Sequence, residues 1–115
     1  MHLGNLSLQR DWGWAPEYVE AIAKMLALEE PDDFIIATGK MNRLEEFVAQ
    51  AFSEVGLDWQ KCVVIDKQFF RPNEGCHPSA DVTDTTQRLG WTATTTMHGV
   101  VRKMVDACQK QYMRR

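Results

Sequence analysis

The sequence predicts a small α/β domain that combines short strands with about four helices. Two short apolar runs, residues 34–37 and 62–66, have the length of buried strands. Segments with helical spacing of apolar residues lie between and around these runs, so that strands and helices alternate along the chain. The 115 residues have the length of one domain, and we expect residues 1–115 to form a single unit. So few short strands are typical of one part of a larger domain.

In the first half of the chain, two predicted helices flank the first apolar run. After an extended piece at 3–6, a helix is expected from Trp14 to about residue 29, with Pro16 in its first turn and Glu17 facing outward. Its inward residues would be Tyr18, Val19, Ile22, Ala23 and Leu26. Asn42 and Glu45 resemble a capping box for the second helix, which Gly56 would end. The apolar stripe of that helix is Leu44, Phe47, Val48, Ala51, Phe52 and Val55.

In the second half, the run at 62–66 is predicted to be a buried strand and is followed by an irregular polar loop. A short helix from Asp84 to Leu89 is expected next, capped by Asp81 or Thr83 and closed by Gly90, with Trp91 buried beneath it. The last helix would run from about 97 to 112. Its inward residues would be Val100, Val101, Met104, Val105 and Cys108.

Composition excludes several classes of protein. The chain is 44% hydrophobic and 25% charged, and it has no apolar run near the ~20 residues of a membrane span. We expect no signal peptide and a cytoplasmic location. Residues 88–115 carry six basic and one acidic side chain, but the charges lie on a terminal helix and no nucleic-acid-binding motif accompanies them. Nucleic acid is therefore not an expected partner.

The three cysteines also favour a reducing compartment. Cys62, Cys76 and Cys108 are odd in number and lack the spacing of a CxxC pair. Cys76 and His77 lie near Asp81, which raises the hypothesis of a metal site. Adjacent ligands without a second spaced pair do not make a zinc site, so we expect no metal.

The stretch Phe69-Phe70-Arg71-Pro72-Asn73-Glu74 is the best candidate for a binding site. It follows the predicted strand at 62–66, and ligands of open α/β sheets commonly bind beyond the carboxyl ends of strands. The guanidinium of Arg71 suits a phosphate, and the carboxylate of Glu74 suits a pair of hydroxyls. The alternative is structural: Arg71 could end a strand at the surface, and Arg10 with Asp11 could form a solvated pair.

Several motifs in the same order resemble the C-terminal part of the GDP-mannose 4,6-dehydratase family. They are LGNL at 3–6, RDWG at 10–13, EPDDF at 30–34, ATG at 37–39, GLDW at 56–59, VVID at 63–66, FFRPxE at 69–74 and LGW at 89–91. RPxE and LGW by themselves resemble the wider extended short-chain dehydrogenases/reductases. The resemblance implies the substrate-binding part of that fold, without its Rossmann half.

The resemblance implies a GDP-sugar ligand and three binding residues. Arg10 and Arg71 would hold the diphosphate and Glu74 the ribose hydroxyls, while no residue of this chain would be catalytic or bind a cofactor. The family uses NADP to convert GDP-mannose to GDP-4-keto-6-deoxymannose, as a lyase. Its Gly-rich turn and Tyr-x-x-x-Lys do not occur in these 115 residues, so we expect no dehydratase activity from this chain alone.

Other interpretations stay open. The chain could be a non-catalytic protein that keeps the fold and acts by self-association, or a partner chain could supply the missing Rossmann half. The region 75–84 also departs from the family, which usually has an aliphatic segment and then a lysine there. Lys67-Gln68 and Glu17 are smaller departures. The largest departure from the family is therefore the loop after Glu74.

Overall fold

A computed structural model describes residues 1–72, 74–75 and 77–114 of the chain. Its strands are β1 (His2–Leu3), β2 (Gln9–Asp11), β3 (Met41–Arg43) and β4 (Val64–Ile65). Its helices are α1 (Ala15–Leu26), α2 (Leu44–Ser53), α3 (Trp59–Cys62) and α4 (Met97–Met113). A 3-10 turn spans Lys67–Phe69, and a π-helical turn spans Thr85–Leu89. The predicted α/β class, with short strands and about four helices, is confirmed.

The strands form two separate ribbons. β1 pairs in parallel with β4, with His2 opposite Val64 and Leu3 opposite Ile65. β2 pairs antiparallel with β3, with Arg10 opposite Asn42. The first ribbon joins the start of the chain to its middle, and the second leads directly into α2. Through these two pairings, residues 2–3 lie beside residues 64–65 and residues 9–11 lie beside residues 41–43.

The predicted strand at 34–37 is wrong, because this segment pairs with no strand among the described residues. Phe34 and Ile36 pack against the buried cluster around Trp91. The hydroxyl of Thr85 donates a 2.7 Å hydrogen bond to the carbonyl oxygen of Ile35. A side-chain hydroxyl therefore satisfies this backbone carbonyl, whereas the sequence pattern predicted backbone hydrogen bonds to a neighbouring strand.

The predicted buried strand at 62–66 is only partly correct. Cys62 ends α3, whose first turn is capped by Asp58 through a 3.0 Å bond from the Gln60 N–H. β4 follows, but Val64 and Ile65 are each 54% exposed. A ribbon of two strands with no layer over this face cannot bury them.

α1 and α2 also differ in detail from the predictions. α1 ends at Leu26, and its buried side is formed by Tyr18, Ala21 and Met25. Val19, Ile22 and Leu26, which were predicted to face inward, are exposed, and so is Ala23. The cap of α2 is one residue later than predicted, because the carboxylate of Glu46 accepts a 2.6 Å bond from the N–H of Arg43. Asn42 instead belongs to β3.

Two buried groups hold the fold. In the first, Ala21, Leu89 and Trp91 pack together, and Tyr18 meets Trp91 edge-on with ring centroids 5.8 Å apart. The second lies where α2 packs on α4, and its buried residues are Val48, Met97, Val100 and Val101. The predicted burial of Trp91, Val100 and Val101 is confirmed, as is the turn at Gly90, which has a φ of 66°. Met104 and Cys108 are exposed, contrary to the prediction.

The molecule is a plate of 53 × 41 × 18 Å with a radius of gyration of 17.2 Å. A compact domain of this length has a radius of gyration of about 13 Å. The thin shape explains why so many large apolar side chains are exposed. In the described part of the chain, no helix is both long and apolar enough to span a membrane.

Candidate functional site

The pairing of β1 with β4 places the segment after β4 alongside the segment after β1. The N–H of Asp66 donates a 2.7 Å bond to the carbonyl oxygen of Leu3. A side chain at Gly4 would lie 2.9 Å from the carbonyl oxygen of Phe69, so the two backbones approach there as closely as a glycine allows. Residues 66–69 therefore lie beside residues 3 and 4.

The turn after β4 is shaped by its own side chains and presents the next residues to solvent. Asp66 accepts a 3.0 Å bond from the N–H of Gln68, which starts the 3-10 turn at Lys67–Phe69. Phe69 and Phe70 are 57% and 42% exposed, and Arg71 is also exposed. Since Arg71 is exposed, its guanidinium group is accessible to an anion.

Glu74 lies in a cavity of about 240 Å³ against the segment between β1 and β2. The other lining residues are Asn5, Ser7, Leu8, Gln9 and Gly75. Its Oε2 atom is buried and has no hydrogen-bond partner among the described residues. A buried carboxylate oxygen without a donor is costly, and a ligand hydroxyl could satisfy it.

One wall of this cavity is fixed by a side-chain turn. The amide oxygen of Asn5 accepts a 3.0 Å bond from the N–H of Ser7 and a 2.6 Å bond from its hydroxyl. This Asn-centred turn bends the chain between β1 and β2. The wall therefore does not depend on the ligand for its shape.

Neither Arg10 nor Arg71 is among the residues that line the cavity. Gln9 of the cavity is the neighbour of Arg10 on β2, and one guanidinium nitrogen of Arg10 donates a 2.7 Å bond to the Gln9 carbonyl oxygen. The rest of the guanidinium donors stay available, since the group carries five N–H bonds. Of the three predicted site residues, only Glu74 lines the cavity, and Arg10 is the chain neighbour of its lining residue Gln9. Asn73 and Cys76 lie outside the described residues.

The other three residues of the RDWG block have structural roles that sequence reasoning missed. The carboxylate of Asp11 accepts bonds from the Thr38 hydroxyl at 2.7 Å and from the Gly39 N–H at 2.8 Å. Trp12 packs on Phe47 with ring centroids 5.2 Å apart. The structural alternative, a solvated pair of Arg10 with Asp11, does not describe Asp11, whose carboxylate binds the turn at 38–39.

Gly13 leaves room for the tyrosine that follows in α1. A Cβ placed there would lie 2.0 Å from the hydroxyl oxygen of Tyr18. Any larger residue would therefore displace Tyr18, which packs on Trp91. The glycine at the end of the block is required by packing.

Glu17 binds the loop between the π-helical turn and α4, contrary to the prediction that it faces outward. Its two oxygens accept the hydroxyl of Thr95 at 2.5 Å, the hydroxyl of Thr94 at 2.7 Å and both backbone N–H groups at 3.0 and 3.1 Å. The Thr95 hydroxyl has the largest effect, which burial partly opposes, and the pKa of Glu17 falls to about 2. An acidic residue followed far along the chain by a Thr-Thr pair offered no recognisable signal of this contact.

The described residues do not form a metal site. No three His, Cys, Asp or Glu side chains in the described ranges lie close enough together to hold an ion. Cys76, half of the Cys76-His77 hypothesis, is outside those ranges. The candidate site is thus the Glu74 cavity, and the part of Arg10 and Arg71 in it stays a prediction.

Comparison with solved structures supports the fold. A UDP-glucose 4-epimerase from Thermotoga maritima, solved with UDP-glucose, superposes with a TM-score of 0.80 at 21% identity, covering 96% of this chain and 35% of the epimerase. The RMD protein of Pseudomonas aeruginosa, complexed with NADPH, gives 0.79 at 15% identity, covering 92% and 34%. At these identities the likeness concerns the fold alone.

Sequence relatives identify the family. The chain is 41% identical to GDP-mannose 4,6 dehydratase 1 of Arabidopsis thaliana over 92% of its length and 29% of that protein. It is 37% identical to human GDP-mannose 4,6 dehydratase over 91% of its length and 33% of that protein. The chain thus spans about a third of the curated relatives it matches. The family described as GDP-mannose 4,6 dehydratase matches residues 1–104, and the chain belongs to this family.

Proposed function

We propose that the chain recognises a GDP-sugar, as the nucleotide-sugar-binding part of a GDP-mannose 4,6-dehydratase-like protein. The observation that carries the proposal is the buried Oε2 atom of Glu74, which lies in a cavity without a hydrogen-bond partner among the described residues. A carboxylate only accepts hydrogen bonds, and the vicinal hydroxyls of a ribose donate two. The names of the relatives supply the class of nucleotide-sugar.

Arg10 and Arg71 would bind the diphosphate at the border of this cavity. Among the described residues, the Arg10 guanidinium donates to the Gln9 carbonyl oxygen, and Arg71 is exposed on the segment that leads to Glu74. Two guanidinium groups match a dianionic diphosphate in charge and in hydrogen-bonding geometry. Their placement on different segments would let the ligand join residues 3–10 to residues 66–75.

We also propose that this chain does not catalyse dehydration by itself. The hydride transfer of the family requires NADP, and these 115 residues contain no Gly-rich turn and no Tyr-x-x-x-Lys. A nucleotide-binding part, on the same polypeptide or on a partner chain, would supply them. The exposed apolar residues of α1 and β4, such as Ile22 and Ile65, are candidates for contact with it.

Calorimetric titration with GDP and GDP-mannose tests the binding proposal. We expect both to bind, UDP to bind more weakly, and Arg71→Ala to lower the affinity about tenfold through loss of a charge-assisted contact. Arg102→Ala is the matched control, because Arg102 is an exposed arginine on α4 whose ion pair with Glu54 contributes little. No heat and no ligand-observed NMR signal at millimolar GDP or GDP-mannose would overturn the proposal.

The catalytic part of the proposal has its own assay. The purified chain is incubated with GDP-mannose and NADP, and the 4-keto product is followed by chromatography. We expect no product from the chain alone. Product formation at a rate proportional to the concentration of this chain would contradict the proposal without affecting the binding result.

A further inference from the structure

The side chain of Ser7 brings a second acceptor oxygen to the cavity that Glu74 lines. The amide oxygen of Asn5 accepts the N–H of Ser7 at 3.0 Å and the Ser7 hydroxyl at 2.6 Å. A backbone N–H can only donate, so the Asn5 atom that it meets is the oxygen, and the hydroxyl must donate to that same atom. The proton of the Ser7 hydroxyl is thus used within the turn, and its oxygen offers a ligand only lone pairs.

The backbone on either side of Ser7 is bound to the start of α2. The carbonyl oxygen of Leu6 accepts a 2.9 Å bond from the N–H of Glu45. The carbonyl oxygen of Leu8 accepts a 2.8 Å bond from the N–H of Leu44, and the side chain of Leu6 is buried. This segment is therefore held in place without a ligand. A hydroxyl on such a segment is preorganised, which lowers the entropy cost of using it in binding.

The fold depends little on the hydroxyl itself. The turn between β1 and β2 also uses the backbone N–H of Ser7, which every residue type except proline provides. Ser7 is exposed, so the bond from its hydroxyl to Asn5 competes with water and contributes little to the free energy of unfolding. A role of this hydroxyl in binding can therefore be measured separately from a role in folding.

The other acceptor in the cavity is the Oε2 atom of Glu74, which is buried and has no hydrogen-bond partner among the described residues. Pockets that take a whole drug-sized ligand have about 300–1,000 Å³, whereas this cavity has about 240 Å³ and suits one ring of a ligand. Two acceptors around one ring match a ring that carries two hydroxyl donors. Ribose has two such hydroxyls on adjacent carbon atoms.

We propose that Ser7 is a specificity-determining residue, which accepts one of the two adjacent hydroxyls of a ribose while Glu74 accepts the other. This inference rests on the proposed function, because it assigns a second protein contact to the same sugar. A sugar that lacks either hydroxyl leaves one acceptor without its donor, which weakens binding. The cavity thus selects a ribonucleotide over a deoxyribonucleotide, whichever of the two hydroxyls is absent.

Calorimetric titration of the full chain with GDP, 2′-deoxy-GDP and 3′-deoxy-GDP tests the inference. We expect each deoxy analogue to bind about five- to tenfold more weakly than GDP, which is the effect of one lost hydrogen bond. Equal affinity for GDP and either analogue overturns the inference and leaves the proposed function intact, since GDP still binds. No binding of GDP at millimolar concentration overturns both.

Ser7→Ala separates contact with the ligand from a role in shaping the cavity. We expect it to bind GDP about fivefold more weakly, and to bind the analogue that lacks the Ser7-bound hydroxyl as well as the wild type does. The other analogue still carries that hydroxyl, so its affinity should fall as that of GDP does. Loss of affinity for all three ligands by one factor would show that Ser7 only shapes the cavity, and it overturns the inference.

Two further variants complete the comparison. Ser7→Thr keeps a hydroxyl group and should keep the preference for GDP over both analogues. Ser53→Ala is the matched control, because Ser53 is an exposed serine of α2 outside the cavity lining, and it should keep all three wild-type affinities. Circular dichroism of each variant checks that the fold is kept. A preference that is lost in Ser7→Thr as fully as in Ser7→Ala overturns the inference, because the preference then does not depend on the hydroxyl.

Discussion

The RDWG block at 10–13 and the FFRPxE segment at 69–74 carry much of the family resemblance, and the structure uses them differently. In the first, Asp11 binds the turn at 38–39, Trp12 packs on Phe47 and Gly13 makes room for Tyr18. In the second, the aromatic side chains and Arg71 are exposed, and mainly the backbone is held in place. The side chains of the first motif thus hold the fold together, whereas those of the second are exposed.

The difference separates stability from binding. Substitutions at 11–13 remove contacts that the folded chain makes without any ligand, so they should lower the free energy of unfolding. Substitutions at 71 and 74 remove groups that have few contacts in the unliganded chain, so they should affect ligand affinity. The predictions below begin with the free energy of unfolding, and the last one measures both stability and ligand affinity.

Asp11→Ala should have the largest effect on stability. Its carboxylate accepts the N–H and hydroxyl of Thr38 and the N–H of Gly39, and removing it leaves these donors without their partner. Several charge-assisted hydrogen bonds are lost together, and we expect the free energy of unfolding to fall by about 3 kcal/mol. Urea denaturation followed by circular dichroism measures this change.

Asp33→Ala is the control for that variant, since Asp33 is an exposed carboxylate near the same turn in sequence. It should change the free energy of unfolding by less than about 0.5 kcal/mol. If Asp11→Ala were as harmless as the control while GDP binding disappeared, the RDWG block would be a binding motif after all.

Gly13→Ala and Gly75→Ala add the same methyl group at the end of the RDWG block and directly after the FFRPxE segment. The added methyl group at Gly13 would collide with the Tyr18 hydroxyl, and the shift would disturb the contact of Tyr18 with Trp91. We expect a loss of about 2 kcal/mol, as for overpacking of a core. Nothing described lies within 4 Å of a Cβ at Gly75, so that variant should keep wild-type stability. Equal thermal midpoints for the two variants would refute the packing role of Gly13.

Glu17→Gln should cost about 1–2 kcal/mol at neutral pH, through weaker hydrogen bonds to Thr94 and Thr95. The pKa of Glu17 in the folded chain is about 2, below its ordinary value of 4.5, so the folded state binds fewer protons than the unfolded state. This stabilisation is complete above about pH 4.5 and is lost as the pH falls toward 2.

Unfolding followed between pH 7 and pH 2 checks this dependence. The difference in stability between wild type and Glu17→Gln should shrink through the acid range. Glu20→Gln, an exposed position on the same helix, should run parallel to wild type. A constant difference between wild type and Glu17→Gln at all pH values would show that the charge of Glu17 is not what holds the loop.

The sequence predicts the local features of this fold better than the long-range ones. The bounds of α4, the turn at Gly90 and the burial of Val100 and Val101 follow from periodicity and turn chemistry, which act over a few residues. The strand at 34–37 was wrong because a hydroxyl fifty residues away satisfies its backbone. The inward side of α1 was wrong because the helix is apolar on two sides, and only one is covered within these residues.

The site residues were nominated by resemblance, and the structure adds what composition could not show. Glu74 is followed by a loop without the usual aliphatic residues, yet it lies in a cavity whose wall is set by Asn5 and Ser7. Residues 5 and 74 are too far apart in the sequence for a helical or strand repeat to relate them. The parallel pairing of β1 with β4 brings their segments together. The binding role of all three residues stays a prediction.

Glu74→Gln should have the smallest effect on stability. The buried Oε2 atom has no donor among the described residues, so the charged carboxylate gains little from the fold. A neutral amide of the same size costs less to bury, and we expect the free energy of unfolding to be unchanged or higher by up to about 0.5 kcal/mol. GDP affinity should nevertheless fall about tenfold, because one ribose hydroxyl would meet an amide NH₂ in place of an acceptor. Denaturation and calorimetry on the same sample give both numbers. A loss of stability above about 1 kcal/mol without a change in affinity would place Glu74 with Asp11, as a residue that holds the fold.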